Sequence, residues 1–356
     1  MTNDFYHLLD SLDLKERKIL EEIHKKKTVE FQGGIIEDIE RDNRHLELVN
    51  ICYNLFTRTT ETNKMTGYKV VLVDPLYTLN IKIFDLMLFN DMTKNAILIE
   101  AKSSVSERKV GSEVDETAQA SQQALSNLEK LQEFIGSKID RLEFAVLSYA
   151  YYTDLLKGAI IAKNASLCLW AYHPVPGIIQ MLAIKDDVLA EKSAGRMHFD
   201  EDIRQTLLKA IQTKMGALRS LPIMPTSHMF TKLEYIAQQL FTFLDRQPRD
   251  KRWFRYSEVF SLCKQAFSSS ELQDSELEQE TRKIIAAAIE TDLFRVINDE
   301  DEISLMEFEI SYNRRNYERF KEDYAEKHSQ EKASVAAIEE FKQQKGFRKL
   351  EDFGNR

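Results

Sequence analysis

Two acids and a lysine in the first third of the chain are placed to do chemistry. Asp85 lies in the apolar run Phe84-Asp85-Leu86-Met87-Leu88, and Glu100 and Lys102 lie in Ile99-Glu100-Ala101-Lys102. Read as strands, these runs alternate their side chains, so Glu100 and Lys102 point the same way and a hairpin neighbour can set Asp85 beside them. Carboxylates held among Ile, Leu, Phe and Ala repel one another or take up protons unless something compensates. A divalent cation removes that difficulty. Two carboxylates, a backbone carbonyl and waters suit Mg²⁺, a hard ion that accepts oxygen ligands and keeps several waters, and Mn²⁺ can substitute for it. Such an ion polarises a phosphodiester and lowers the pKa of a bound water. Lys102 can orient that water or offset charge on the five-coordinate phosphorus. The expected catalytic set is Asp85, Glu100 and Lys102, with Asp85 and Glu100 as metal ligands. The competing reading is a salt-bridged strand edge in solvent; the apolar context of the acids argues against it.

The elements that must position these residues are legible in the pattern. Residues 4–57 read as helical, with good helix formers over 13–27, an interruption at Gly33-Gly34, and Ile35, Ile39, Leu46, Val49 and Tyr53 at helical spacing beyond it. After Gly67 the pattern turns to β. Strands are expected over 68–73, 81–90 (with Asp85 in mid-strand) and 95–103, the last two joined as a hairpin through 91–94. A helix over 113–135 and strands over 144–150, 165–173 and 178–184 follow. Continuously apolar runs such as Ala96-Ile-Leu-Ile and Phe144-Ala-Val-Leu read as central strands covered on both faces. The fold class is α/β, a mixed sheet flanked by helices, and residues 1–195 form its domain.

From Phe199 the chain reads as helical: 199–219, 230–244, 256–267, 276–292 and 312–345, with a small hairpin over 294–305. Helix, turn, helix, hairpin is the layout of a winged helix, so residues 196–356 read as a helical and winged-helix-like domain that binds DNA or a partner.

The bulk properties narrow the function classes. A length of 356 residues suits two domains. The net charge of −9 speaks against a protein that coats nucleic acid non-specifically, though binding depends on local patches. Two basic patches stand out, one over 246–256 and one of Arg314, Arg315, Arg319 and Lys321 at the start of the last helix, the second reading more readily as a solvated helix face. Arg249, Lys251, Arg252 and Arg255 alternate with Trp253, Phe254 and Tyr256, so cations can meet phosphates while rings stack. Arg282 and Lys283 lie on the expected recognition helix, in acidic company. No apolar stretch is long enough to cross a membrane and the start is polar, which predicts a cytoplasmic protein with no membrane partner. The three cysteines are far apart and the seven histidines form no HxH or HExxH pair, so a zinc site is not expected. There is no phosphate-binding G-x-x-x-x-G-K-[ST] loop and no GxSxG elbow.

Over roughly residues 30–185 the sequence resembles the PD-(D/E)xK nuclease superfamily. The resemblance implies a restriction-endonuclease-like sheet and a Mg²⁺-dependent endodeoxyribonuclease, with Asp85 and Glu100 as its metal-binding acids and Lys102 as its lysine. It also implies a glutamate on the helix before the first strand, where Glu47 matches and Glu37 and Glu40 compete. A glutamine on the helix after the ExK strand is implied too, where Gln119 matches beside Gln122 and Gln123. The family's leading proline is missing beside Asp85; Pro75 is too far upstream. The implied partners are double-stranded DNA and, because two strands need two sites, a second copy of the chain at least during cleavage. The roles consistent with this layout are a type II or IIS-like restriction enzyme or an antiphage defence nuclease. The alternatives are the end-cleaving subunit of a transposase, or a non-catalytic DNA-binding or regulatory protein on the nuclease fold.

Overall fold

The computed structural model describes residues 2–57, 61–81, 83–174, 179–184, 198–209, 211–214, 223–247, 253–298, 300, 302, 304–311 and 317–344. The chain divides into two compact units, one of residues 1–40, 228–259 and 282–356 and one of residues 41–227 and 260–281.

Helix α1 spans Thr2–Ser11 and α2 spans Leu14–Leu55. Asp13 caps α2, its Oδ1 accepting from Lys15 N and Glu16 N at 2.9 Å each. Gly33 and Gly34 do not break this helix, contrary to expectation. A helical glycine costs only about 0.5–1 kcal/mol against alanine. The helix is fixed on either side of the glycines by buried residues, Leu20 and Ile23 before them and Leu48, Val49, Cys52 and Leu55 after.

The second unit is built on a mixed sheet. After a short helix α3 (Glu61–Thr66), strands β1 (Tyr68–Val73), β2 (Leu86–Asn90) and β3 (Asn95–Lys102) run as an antiparallel meander. Helices α4 (Val110–Ser126) and α5 (Leu128–Ile135) then carry the chain over to β4 (Arg141–Tyr149), which pairs parallel with β3. The expected single helix over this stretch is therefore two, separated at Asn127. Helix α6 (Thr153–Ala162), which the pattern did not reveal, returns the chain to β5 (Cys168–Pro174), parallel to β4. Parallel neighbours require such crossovers. These five strands are continued by β6 (Ile179–Ile184) and β7 (Ile211–Lys214), both antiparallel to their neighbours. The stretch expected as one helix over 199–219 holds helix α7 (Glu201–Leu208) and then β7.

Every residue of β2 is buried, as are all of β3 except its two ends. Each fully buried Leu, Ile or Phe stabilises the fold by about 1.5–3 kcal/mol over exposure, so the strands can carry a few unfavourable acids.

The C-terminal region is helical, with a small sheet. It contains α8 (Met229–Leu244), α9 (Tyr256–Ala266), α10 (Asp274–Glu290) and α11 (Tyr317–Gln344). Strands β8 (Phe254–Arg255), β9 (Phe294–Asn298) and β10 (Glu307–Ile310) form the sheet, in the order β8-β10-β9. Phe254, Phe294 and Phe308, one from each strand, are buried against one another with ring centroids 4.9–6.1 Å apart. In the same unit Phe5, Leu20 and Ile23 pack with Ala337, Ile338 and Phe341 of α11.

Candidate active site at the β2–β3 strand ends

Asp85 stands one residue before β2, not within a long strand as the sequence suggested. A turn is responsible. Asp74, just past β1, takes a left-handed conformation (φ 49°), which Asp tolerates better than most residues, and its N–H donates to the Asp85 carbonyl at 2.9 Å. Asp85 N in turn donates to the Ile99 carbonyl at 2.8 Å. The regular pairing begins only at Leu86 and Ile99, and the Asp85 carboxylate reaches over β3 to the Ala101 N–H, close enough for its charge to act on Glu100. The two acids are brought near one another by this side-chain reach and not by a cross-strand pair.

Each carboxylate is differently satisfied. Asp85 is buried; its Oδ2 accepts from Ala101 N at 2.6 Å and its Oδ1 bonds His45 Nε2 at 2.8 Å. Glu100 is buried too, and its Oε1 pairs with Lys102 Nζ at 2.6 Å. Its Oε2 is shut away from solvent and has no hydrogen-bond partner. Burial, reinforced by the Asp85 charge against the opposing pull of Lys102, raises the Glu100 carboxyl to about 7. Burial works to lower the Lys102 ammonium, but the charge and hydrogen bond of Glu100, with Glu113 and Asp85 behind, leave it raised. Burial likewise opposes protonation of His45, yet Asp85, Glu100 and Asp42 together lift it to about 9. Asp74 is raised to about 7, by burial first and then by Asp85, against two hydrogen bonds from Thr226 to its Oδ2.

The other expected residues are placed as follows. Glu47 is exposed on α2 and its Oε2 accepts from the Tyr149 hydroxyl at 3.1 Å. Glu37 and Glu40 are also exposed on α2, and Lys321 pairs with Glu40 at 2.8 Å. The α2 residue that reaches Asp85 is His45. No local motif announces it, because its partner is forty positions away. Gln119, Gln122 and Gln123 are exposed on α4. The α4 residue within electrostatic reach of Lys102 is instead Glu113, whose Oε2 is also buried without a hydrogen-bond partner. The only sequence cue to it was an acid in the first turn of the helix after the ExK strand.

In the C-terminal region, Arg249, Lys251 and Arg252 lie outside the described residues. Arg255 is bound to Glu307, with its Nη2 2.7 Å from Oε1, and lies over the Trp253 ring at 5.0 Å. Arg282 and Lys283 are exposed on α10, with Arg282 5.7 Å from the centre of the Tyr256 ring.

The chemistry of the donors suits a hard divalent cation. Asp85 and Glu100 bring carboxylate oxygens together near the end of β3, and Glu100 Oε2 lacks the hydrogen bond that a buried oxygen ordinarily has. Among the described residues no group of three or more His, Cys, Asp or Glu side chains could enclose a metal. Mg²⁺ does not need one: it is commonly held by one or two carboxylates, with water and substrate completing the octahedron. Among the described residues no helix is long and apolar enough to cross a membrane. Comparison of the chain with protein-family models, with curated proteins and with solved structures finds no match in any of the three.

Proposed function

We propose that the chain is a Mg²⁺-dependent endonuclease that hydrolyses phosphodiester bonds in double-stranded DNA. The observation that carries this reading is the buried Glu100 oxygen without a hydrogen bond, within electrostatic reach of Asp85 and next to Lys102. Lys102 satisfies only Oε1, and leaving the second buried oxygen without a donor costs about 1–3 kcal/mol unless it is protonated or meets a further cation. Asp85 and Glu100 would hold the ion, which when bound supplies Lewis acidity to a phosphate oxygen and a more acidic water. The chain's own residues do the rest. The Ala101 N–H and His45 fix the Asp85 rotamer. Lys102, kept charged by Glu100, is a donor for an attacking water or for the negative charge that builds on phosphorus. Apolar strands behind the acids limit access of bulk water and strengthen each of these interactions.

The meander followed by parallel crossovers, with the acids at the junction, supports a restriction-endonuclease-like core. The order α9, α10, β9, β10 supports a winged-helix-like module for DNA or a partner. On this reading the protein acts in restriction or antiphage defence, with two copies of the chain present during double-strand cleavage.

The test is incubation of supercoiled plasmid with the full chain and Mg²⁺, alongside Asp85→Asn. Cleavage by the parent and a loss of about 10³-fold in the variant are expected, since a group aimed at transition-state charge contributes on that scale. Absence of cleavage with Mg²⁺ and with Mn²⁺, while DNA binding persists, would make the chain a non-catalytic binding module.

A further inference from the structure

We propose that Tyr151 is a stacking shelf for an unpaired nucleobase, so that the preferred substrate carries an unpaired nucleotide. This inference rests on the nuclease reading and names its substrate more closely.

The shelf stands at the same end of the sheet as the lysine, on the face opposite to it, where α2 sets Glu47 on Tyr149 two residues from the His45 that holds Asp85. Lys102 pairs with Ser148 in the β3–β4 ladder, and the Ser148 hydroxyl donates to the Lys102 carbonyl at 2.7 Å. The chain then passes through Tyr149 into a tight turn over Ala150–Tyr152. Tyr149 is buried and held by Glu47 and by Tyr172, whose ring centre is 5.5 Å away. Tyr151 stacks on Tyr149 at 5.3 Å with 14° between the ring planes, and touches Tyr152 at 4.4 Å. Tyr151 nonetheless remains 63% exposed.

The ring is therefore presented in a fixed orientation by two neighbours, so little conformational freedom remains to be lost on binding. Arg44, exposed on α2, lies within electrostatic reach of the Tyr151 hydroxyl and can meet a phosphate of the same nucleotide, while Glu47, the acid also within reach, is engaged by the Tyr149 hydroxyl. An aromatic face beside a cation suits a nucleotide, since every base has a π-face and every link a negative charge. A base inside a duplex already has both faces stacked, so the ring selects one that is unpaired.

The experiment is fluorescence anisotropy of the full chain with a labelled oligothymidylate and with a blunt duplex of equal length, in EDTA so that no cleavage occurs. Tyr151→Ala should weaken single-strand binding about tenfold, the scale of one base–aromatic stack, and Tyr151→Trp should restore it. Duplex binding should change by less than about twofold, because the duplex offers no free base face. Equal weakening of both probes, an unchanged single-strand affinity, or a parent that binds neither probe overturns the shelf. The two readings fail separately. Plasmid cleavage that needs Asp85, together with a silent Tyr151→Ala, removes the shelf and keeps the nuclease. A selective Tyr151→Ala effect on a protein that cleaves nothing does the reverse.

Discussion

Among its described residues the sheet unit contains two carboxylate–histidine pairs with a buried carboxylate, and they differ in what is left over. At the first, His45 holds Asp85 beside a Glu100 oxygen that has no hydrogen bond. At the second, everything closes. Glu143 Oε1 accepts from Phe199 N at 3.0 Å, its Oε2 bonds His198 Nδ1 at 3.0 Å, and His198 Nε2 meets Trp170 Nε1 at 2.9 Å. Burial opposes a charged His198 while Cys168 and Glu143 favour one. The indole N–H can only donate, however, so Nε2 must accept and the ring is the neutral Nδ1–H form. The second pair is a finished network that ties the residues after β6 to β4 and β5. The first is unfinished, and an unfinished buried network is expected where a ligand completes it.

The largest effect expected from this contrast is on stability. His198→Ala strands the Trp170 N–H and one Glu143 oxygen in a site with no solvent exposure of the histidine, and should destabilise the fold by about 3–5 kcal/mol. Urea unfolding measures it. A loss below about 1 kcal/mol would mean that the second network contributes no more than an ordinary surface contact, and the contrast would dissolve.

The next effect belongs to the first pair. Glu100 titrates at about 7 in the fold, above its ordinary 4.5. The native state thus holds a proton that the unfolded chain has released, and Glu100's contribution to stability is lost as pH rises through that window. A divalent ion must displace this proton below pH 7. Its apparent affinity should therefore be about tenfold weaker at pH 6 than at pH 8, following one pKa unit of competition. At about a hundred times its dissociation constant the ion should stabilise the chain by roughly 2.7 kcal/mol. Thermal melts with Mg²⁺ at the two pH values test this, with Glu100→Gln as the control. A shift that is larger at pH 6, or that survives Glu100→Gln, would place the ion elsewhere.

How much of this the sequence disclosed depends on the range of the interactions involved. Strand β1 was legible to the residue, and β3 to within one, because β-branched and apolar runs with clear ends are written locally in Tyr68–Val73 and Asn95–Lys102. The acids and the lysine were legible because charges inside an apolar run are conspicuous. Asp85 was misplaced within its strand because the turn that ends the pairing is made by Asp74, eleven positions earlier, through a backbone bond that leaves no pattern. Helix α6 went unread for a different reason. Its buried positions, Thr153, Leu156 and Ile160, are few and sit beside tyrosines that suggest β structure. His45, Glu113 and His198 were illegible because each acts on a partner from a distant segment.

Glu113 gives the smallest and most discriminating test. Like Glu100 it has a buried oxygen with no donor, and like Glu143 it is an acid on the border of the core. If it belongs with the unfinished site, its charge serves to steady Lys102 when Glu100 turns to an ion. Glu113→Gln should then change stability by less than about 1 kcal/mol, since no hydrogen bond to the lost oxygen is broken. It should lower cleavage by about tenfold, the low end of what supporting groups around a metal contribute. The opposite result, a loss of several kcal/mol with unaltered cleavage, would class Glu113 with Glu143 as a residue that holds the fold, and would leave Lys102 dependent on Glu100 alone.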